Sequence, residues 1–424
     1  NPAYTLDVNG TTFSKIFNIN GNTLSVPSLT QGDLLFAKVG GTLNRLAAGT
    51  NHYALKVNGN KLAWEAAGTA GAATNIDGLS DAKANVYNVY LGNGAGAVDT
   101  GTSYSTAIGI QALNANVSSS GQYNSALGYQ ALKTNTTGSN NTASGAFSLY
   151  SNTTGSLNVA SGSYSLYSNT TGNYNTASGQ ESLYSNTTGS YNTTSGYNSL
   201  KSNTTGSYNT ASGHNSLKLN TTGNSNTASG YESLYNNTTG TQNTASGNSS
   251  LSSNTTGDYN TASGYYSLVL NSTGSNNTAS GVNSLRFNTT GSNNTATGDA
   301  SLYNNTTANN NTASGYASLY NNTTGASNTA SGYGSLLSNT TGSSNTASGM
   351  NSIYYNQTGS NSVALGREAA FGTLSHSQSN GAYLGYRAGY AISNGSNNTM
   401  VGFGSGYGVT HGNGNILVGY QAGD

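Results

Sequence analysis

The chain has 424 residues, with 58 Gly, 31 Tyr, two Pro, one Trp and no Cys, and its 12 basic and 12 acidic residues cancel. Only 6% of residues are charged, against about 25% in an average soluble domain, and the aromatic content sets the chain apart from disordered sequences, which are rich in charge and Pro. Without clustered Lys and Arg no nucleic-acid partner is expected; without Cys there is no disulfide framework or thiolate metal site; and no apolar run approaches the ~20 residues of a membrane-spanning helix, so no membrane insertion is expected. No signal peptide is visible. The chain opens on Asn1 rather than Met, which reads as a processed product or a fragment of something longer.

Residues 1–67 read as a β-rich module. Residues 1–85 hold 11 of the 24 charged residues, the only Trp (Trp64) and both Pro (Pro2 and Pro27). The alternation in "YALKVNGNKLAWE" (53–65) predicts a hairpin turning at "NGN". Residues 68–88 form a Gly/Ala-rich connector, with one short helical turn expected around Leu79 to Ala84.

From residue 89 to 424 the sequence is periodic. The Gly that ends "ASG" recurs as Gly145, Gly162, Gly179 and so on to Gly349, always 17 residues apart. The register extends to Gly92, Gly109 and Gly128 upstream and to Gly366, Gly385, Gly402 and Gly419 downstream. Of the 19 intervals, 17 are 17 residues long, and two, 109–128 and 366–385, are 19 residues long.

Counted from each marker Gly, position +3 is Ser or Ala, +4 is Leu, +7 to +10 read Asn-Thr-Thr-Gly, and +13 to +16 read Asn-Thr-Ala-Ser across the central coils. Positions +1, +2, +5, +6, +11 and +12 vary, with Tyr frequent at +1, +5 and +12. A 17-residue unit is too short for a helix pair. Thr and Tyr favour strands, whereas Gly and Asn favour turns. The fold class expected is all-β: a parallel β-solenoid, or β-roll, of about 20 coils. Each coil is expected to carry two short strands and two turns, with the marker Gly and the "TTG" Gly in left-handed conformations. The Asn at +7 and +13 are expected to stack as amide ladders. At ~4.8 Å per coil the rod would be roughly 95 Å long.

Leu at +4 and Ala at +15 are the only regular apolar positions of a central coil. One buried Leu contributes ~1.5–3 kcal/mol, while ordering each residue costs about 1–2 kcal/mol. That imbalance predicts chains sharing a core, as a parallel homotrimer. The residue before the marker is apolar near both ends of the array (Leu91, Ile108, Leu127, Leu365, Leu384, Val401, Val418) and Ser or Thr in the middle, as docking or capping coils would be.

The end segments "NSALG" (124–128), "NSVALG" (361–366), "NTMVG" (398–402) and "NILVG" (415–419) resemble the head repeats of trimeric autotransporter adhesins. That resemblance covers roughly residues 88 to 424 and implies left-handed parallel β-rolls with three chains side by side. It departs from the family unit, which is shorter and carries an apolar residue where the middle coils have Ser. The N-terminal "TLDVNGTT" (5–12) and "QGDLLFAKVGGTLNRLAAGTNHYALKVNGNKLAWE" (31–65) resemble segments of bacteriophage tail fibres and related bacterial surface fibres. This second resemblance implies a trimeric fibre that recognises a cell surface.

No catalytic constellation emerges. His52, His214, His376 and His411 follow no column and read as surface or loop residues. Between Gly109 and Ser362 the only acids are Glu181, Glu232, Asp258 and Asp299, each more than one coil from the next, whereas paired glycosidase carboxylates lie ~5–9.5 Å apart. No column supplies a regular Asp for calcium, and "GFGSGYG" (402–408) reads as tight turns. No cofactor and no metal are expected. The +7 Asn sits in an Asn-Thr-Thr sequon; it reads as a buried ladder whose sequon is incidental, because the equally regular +13 Asn precedes Thr-Ala.

The candidates for ligand binding are the Tyr columns: Tyr129, Tyr197, Tyr231, Tyr265, Tyr316 and Tyr333 at +1, and Tyr174, Tyr191, Tyr208 and Tyr259 at +12. Exposed rings stack on sugars; alternatively they cover strands and pack on one another. Three functions are expectations at this stage. The first is a non-enzymatic extracellular fibre, a phage tail fibre or an adhesin shaft, giving reach and multivalent binding to a host-cell-surface glycan or protein. The second is a filament subunit self-associating head to tail through its end coils. The third is an ice-binding solenoid presenting rows of hydroxyls from Thr-Ala-Ser.

Overall fold

The computed structural model describes the backbone of seven short strands between residues 16 and 84 and, from Tyr87, the chain to residue 423 except residues 101, 118–120 and 374–376. It divides into two compact units, Asn1–Val86 and Tyr87–Asp424. The first holds three antiparallel hairpins: β1 (Ile16–Ile19) with β2 (Asn22–Ser25), β3 (Leu34–Ala37) with β4 (Leu43–Leu46), and β5 (Tyr53–Asn58) with β6 (Lys61–Ala66). The last is the hairpin expected from alternation, with Tyr53 opposite Ala66 and Asn58 opposite Lys61. The helical turn expected around Leu79 to Ala84 is corrected: Ala82–Ala84 is a strand, β7. So short a run cannot offset the cost of helix nucleation. The remaining expectations for residues 1–86 lie outside the described residues.

The second unit is an all-β parallel solenoid. Its twenty strands run from β8 (Val89–Leu91) to β27 (Ile416–Val418), each three residues long. Each central strand pairs in parallel with the equivalent residues one repeat on, as Thr227 with Thr244 and Ala228 with Ala245. Nineteen steps at ~4.8 Å make the stack about 90 Å long.

Each coil has one strand, and the expectation of two is corrected. Outside Thr-Ala-Ser, three positions per central coil have left-handed backbone, even where the residue is not Gly. In the coil from Gly230 they are Glu232 (φ 52°), Leu234 (φ 51°) and Gln242 (φ 56°). Such reversals forbid a second extended run. They also turn each N–H toward a neighbouring coil: Glu232 N donates to His214 O (3.1 Å), Leu234 N to Ser250 O (3.0 Å) and Gln242 N to Asn224 O (3.0 Å). The turns are thus bonded coil to coil like the strand, which satisfies backbone groups that regular structure would otherwise have to pair.

The two repeated glycines serve different purposes. The marker Gly230 has φ +133°, and a Cβ there would lie 2.5 Å from the carbonyl oxygen of Gly247. The "TTG" Gly is not left-handed, which corrects the second half of that expectation. Gly240 is required by close approach instead, since its Cβ would lie 2.5 Å from both Asn237 Oδ1 and Gly257 O. One coil has Ala308 at this position, and there the coil-to-coil bond from Thr306 N to Thr323 O is 3.1 Å, against 2.9 Å from Thr238 N to Thr255 O.

Inside the central coils, Leu at +4 (Ile353 in one coil) and Ala at +15 (Thr194 in another) are buried. Both Asn columns are buried beside them and form ladders, as expected. Asn237 Nδ2 donates to Asn220 Oδ1 (2.8 Å) and to Gly240 O (2.9 Å), and Asn237 Oδ1 accepts from Asn254 Nδ2 (2.8 Å). In the +13 column, Asn243 N donates to Asn226 Oδ1 (3.0 Å) and Asn243 Nδ2 to Gly257 O (2.8 Å). Full burial of the +7 Asn, with its amide already bonded, leaves the sequon inaccessible to a glycosyl donor in the folded coil.

The +7 ladder is polar, every Nδ2 facing the N-terminal neighbour, and at that end stands a carboxylate. Asp99 occupies the +7 column and is fully buried; it accepts from Asn116 Nδ2 (3.3 Å), Tyr90 Oη and Ser103 Oγ. Burial first, then the bond to Asp99, raises the Tyr90 phenol far above its usual range. At the other end the 19-residue interval 366–385 breaks both ladders. Asn356 Nδ2 turns to Gln378 O (3.2 Å), Asn339 Oδ1 is left without a partner, and Ser362 and Gly381 stand where +13 Asn would be.

Near the ends the core changes residues but conserves volume. Tyr90, Tyr383, Met400 and Leu417 replace the +15 Ala, and Gly96, Gly389, Gly406 and Gly423 replace the +4 Leu that follows. A Cβ at Gly96 would lie 2.4 Å from the Tyr90 ring, and one at Gly389 2.5 Å from the Tyr383 ring. A large residue from the strand fills the place of a large residue from the turn, the kind of exchange a close-packed core tolerates.

Candidate binding surfaces

The rod offers three distinct surfaces, each a set of columns. The +1 and +12 Tyr do stand outward: Tyr197 is 43% and Tyr208 62% exposed. Their rings, however, lie largely on one another. Tyr174, Tyr191 and Tyr208 stack with centroids 4.8 and 5.0 Å apart and interplanar angles of 5° and 1°. In the +1 column His214 lies between Tyr197 and Tyr231, 5.3 Å from each. His214 therefore does follow a column, which corrects the sequence reading; His52 and His376 lie outside the described residues. Tyr316 stacks on Tyr333 (5.2 Å), Tyr265 contacts Tyr266 (4.0 Å), and Tyr129 meets Phe147 edge-on (5.1 Å, 82°). A stacked column presents ring edges and hydroxyls, while the faces a sugar would use are covered by neighbouring rings. Tyr259 stands between Gln242 and Asn276 in its column and keeps its faces clear of other column rings.

A further aromatic column, at +5, was not singled out from the sequence although Tyr recurs there. Tyr150, Tyr167 and Tyr184 stack at 5.1 Å, Tyr303 and Tyr320 at 4.8 Å, and Phe371, Tyr390 and Tyr407 at 5.1 and 5.0 Å. Cations lie on these rings: Lys133 over Tyr150 (5.5 Å), Lys218 over Tyr235 (5.3 Å) and Arg387 over Tyr390 (5.0 Å). Partial burial and then neighbouring phenols raise Tyr167 and Tyr320 above the usual phenol range.

The strand face is the most regular surface. Ala at +15 points inward while Thr at +14 and Ser at +16 point out. Eleven successive strands, from Thr176–Ser178 to Thr346–Ser348, place a Thr in the +14 column. Toward both ends the same columns turn apolar and stay exposed, with Val89, Ile108 and Leu127 at one end and Val363, Leu365 and Leu384 at the other.

The acids serve local contacts. Glu181 pairs with Lys201, Glu368 with Arg387 (2.6 Å) and Arg367 (3.3 Å), and Asp258 Oδ1 accepts from Thr241 N (2.6 Å). Among the described residues no three His, Cys, Asp or Glu gather as metal ligands, and no helix is long and apolar enough to cross a membrane. Compared with family models, with curated proteins and with solved structures, the chain finds no match.

Proposed function

We propose that this protein is a non-enzymatic, extracellular attachment fibre, whose solenoid supplies rigid reach and displays the same surface groups many times along one axis. The observation that carries this reading is the repetition itself: successive central coils share internal Asn ladders and expose ring columns at ~5 Å intervals. Weak contacts repeated on a stiff scaffold bind by effective concentration rather than by the strength of any one. A host-cell-surface glycan or protein is the partner that such a display suits, on a virion fibre or a cell-surface adhesin. The assembly proposed is a homotrimer packed along the strand faces, because the exposed apolar residues at both ends, Ile108 and Leu127, Leu365 and Leu384, all lie on that face. Size exclusion with light scattering is expected to give the mass of three chains. A monomer would remove the shared-face argument, and a polydisperse series would favour a self-associating filament.

The strand face also supports a second reading, ice binding. Eleven successive outward Thr, each with a Ser or Thr two residues on, make an array with two repeats, one coil rise and ~6.7 Å along the strand. Such a rigid hydroxyl lattice suits an ordered water surface, but only if no other chain covers it. Thermal hysteresis that disappears in a Thr261→Tyr variant with unchanged melting is the outcome expected of this reading; an inactive monomer would end it.

A further inference from the structure

Between the +5 rings and the "TTG" corner runs a groove that neither the Tyr columns nor the strand face includes. Over the coils from Gly281 to Gly349 it widens into a cavity of about 560 Å³. Its walls are Asn304, Asn321 and Ser338 from +6, with Thr306, Thr323, Thr340 and Gln357 from +8 and Phe287 at one end. At the other end of the +6 column comes Tyr355. The groove is thus the stretch where small polar +6 residues lie between two aromatic ones, four coils or about 19 Å apart.

Its chemistry is uniform. No charged residue lines it. Outside the walls, at the Phe287 end, the Arg286 guanidinium is held among rings, 5.0 Å from Tyr266, 5.6 Å from Phe287 and 5.8 Å from Tyr303, and donates to Asn283 Oδ1 (2.9 Å). The Thr hydroxyl protons are committed to the next coil: Thr306 Oγ1 donates to Thr323 O (3.1 Å), Thr323 Oγ1 to Thr340 O (3.0 Å) and Thr340 Oγ1 to Gln357 O (2.9 Å). Their lone pairs therefore face the groove as a row of acceptors, one per coil. Asn304 Nδ2 donates to Asn321 Oδ1 (3.3 Å), which leaves the Asn304 carbonyl and second N–H and the Asn321 N–H groups for a guest. Phe287 and Tyr355 stand across the +5 ladder rather than in it, at 72° to Tyr303 and 81° to Phe371.

We infer that this groove binds a linear, neutral, hydroxyl-rich chain, an oligosaccharide without acidic groups, lying along the rod axis. Acceptors repeated at the coil rise meet successive sugar hydroxyls, the Asn amides serve both donor and acceptor needs, and the two end rings pack on apolar sugar faces. An anionic glycan would find no cation in the walls, and a protein chain would leave its amide protons competing for acceptors set at the wrong period. The inference rests on the attachment reading and gives it a ligand class.

The test is calorimetric titration of the full chain with linear oligomers of β-linked glucose, mannose and N-acetylglucosamine, alongside a uronic-acid oligomer. The parent is expected to bind at least one neutral oligomer and not the acidic one. Phe287→Ala is expected to weaken Kd roughly tenfold, and Asn321→Trp, which fills the groove, to abolish binding. Ser168→Ala, in the +6 column but outside the groove, is expected to bind like the parent. Circular dichroism melting like the parent's certifies each fold. Absence of neutral binding, preference for the acidic oligomer, or equal binding by parent and Asn321→Trp would overturn the inference. Adhesion of the same variants to intact cells separates the two claims. Adhesion that ignores Phe287→Ala and Asn321→Trp while no oligomer binds removes the groove and leaves the attachment reading. Groove-dependent oligomer binding without adhesion to any cell removes attachment and leaves the groove.

Discussion

Asn237→Ala is expected to destabilise the middle of the solenoid by about 3–5 kcal/mol. The amide is fully buried, and its removal orphans Asn220 Oδ1 and one N–H of Asn254, each a buried loss of ~1–3 kcal/mol. Gly240 O keeps its second donor, Asn226 Nδ2 (2.8 Å), so that carbonyl adds little. Asn237→Leu is expected to rescue nothing, because the orphaned partners remain. In a stack where each coil contacts only its neighbours, the damage is local. Hydrogen exchange should accelerate in the coils flanking residue 237 and stay slow near the ends. Urea unfolding with Asn236→Ala as the half-buried control, expected within ~0.5 kcal/mol of the parent, supplies the comparison. If the two variants unfold alike, the ladder is not what holds the coils.

Gly230→Ala is expected to cost about 3–6 kcal/mol, and Gly240→Ala only about 1. Both would push a methyl to 2.5 Å from a carbonyl oxygen of the next coil. The difference lies in the backbone. Gly230 has φ +133°, so Ala there adds conformational strain to steric overlap. Gly240 has no such conformation, and Ala308 already occupies the equivalent position with a bond lengthened to 3.1 Å. Chemical denaturation of the two variants side by side reads the difference, and equal losses would refute the distinction drawn between the two glycines.

The parts of the fold legible in the sequence were those carried by identical residues at identical spacing. The 17-residue period, the parallel solenoid, the inward Leu and Ala, and both Asn ladders follow from stacking like on like. The strand count was missed because left-handed backbone at Glu232, Leu234 and Gln242 leaves no mark in residue types that usually avoid it; the hydrogen bonds to adjacent coils impose it. The "TTG" Gly was misread because glycine signals either a positive φ or a close approach, and only the neighbouring coil tells which. The exchange of +15 Ala and +4 Leu for Tyr383 and Gly389 was visible in principle as a paired change, but its meaning depends on the two positions meeting in the core. Of the candidate surfaces, the Tyr columns were found as residues, and the packing of their rings on one another was one of the two readings offered; the stacks bear that alternative out, while the orientation of each ring is settled by packing. The groove between Phe287 and Tyr355 is invisible along the chain because its walls come from residues 17 apart.

Interchangeable rungs carry a genetic consequence. Each central coil meets its neighbours through the same Asn, Thr, Gly and Leu contacts, so deleting or duplicating one 17-residue unit would restore every contact on both sides of the junction. Slippage between near-identical gene segments could therefore lengthen or shorten the molecule by about 5 Å at a time without asking selection to repair the fold. The segments 109–128 and 366–385, two residues longer than the 17-residue unit, would stay outside that exchange and bound the region in which length is free to drift.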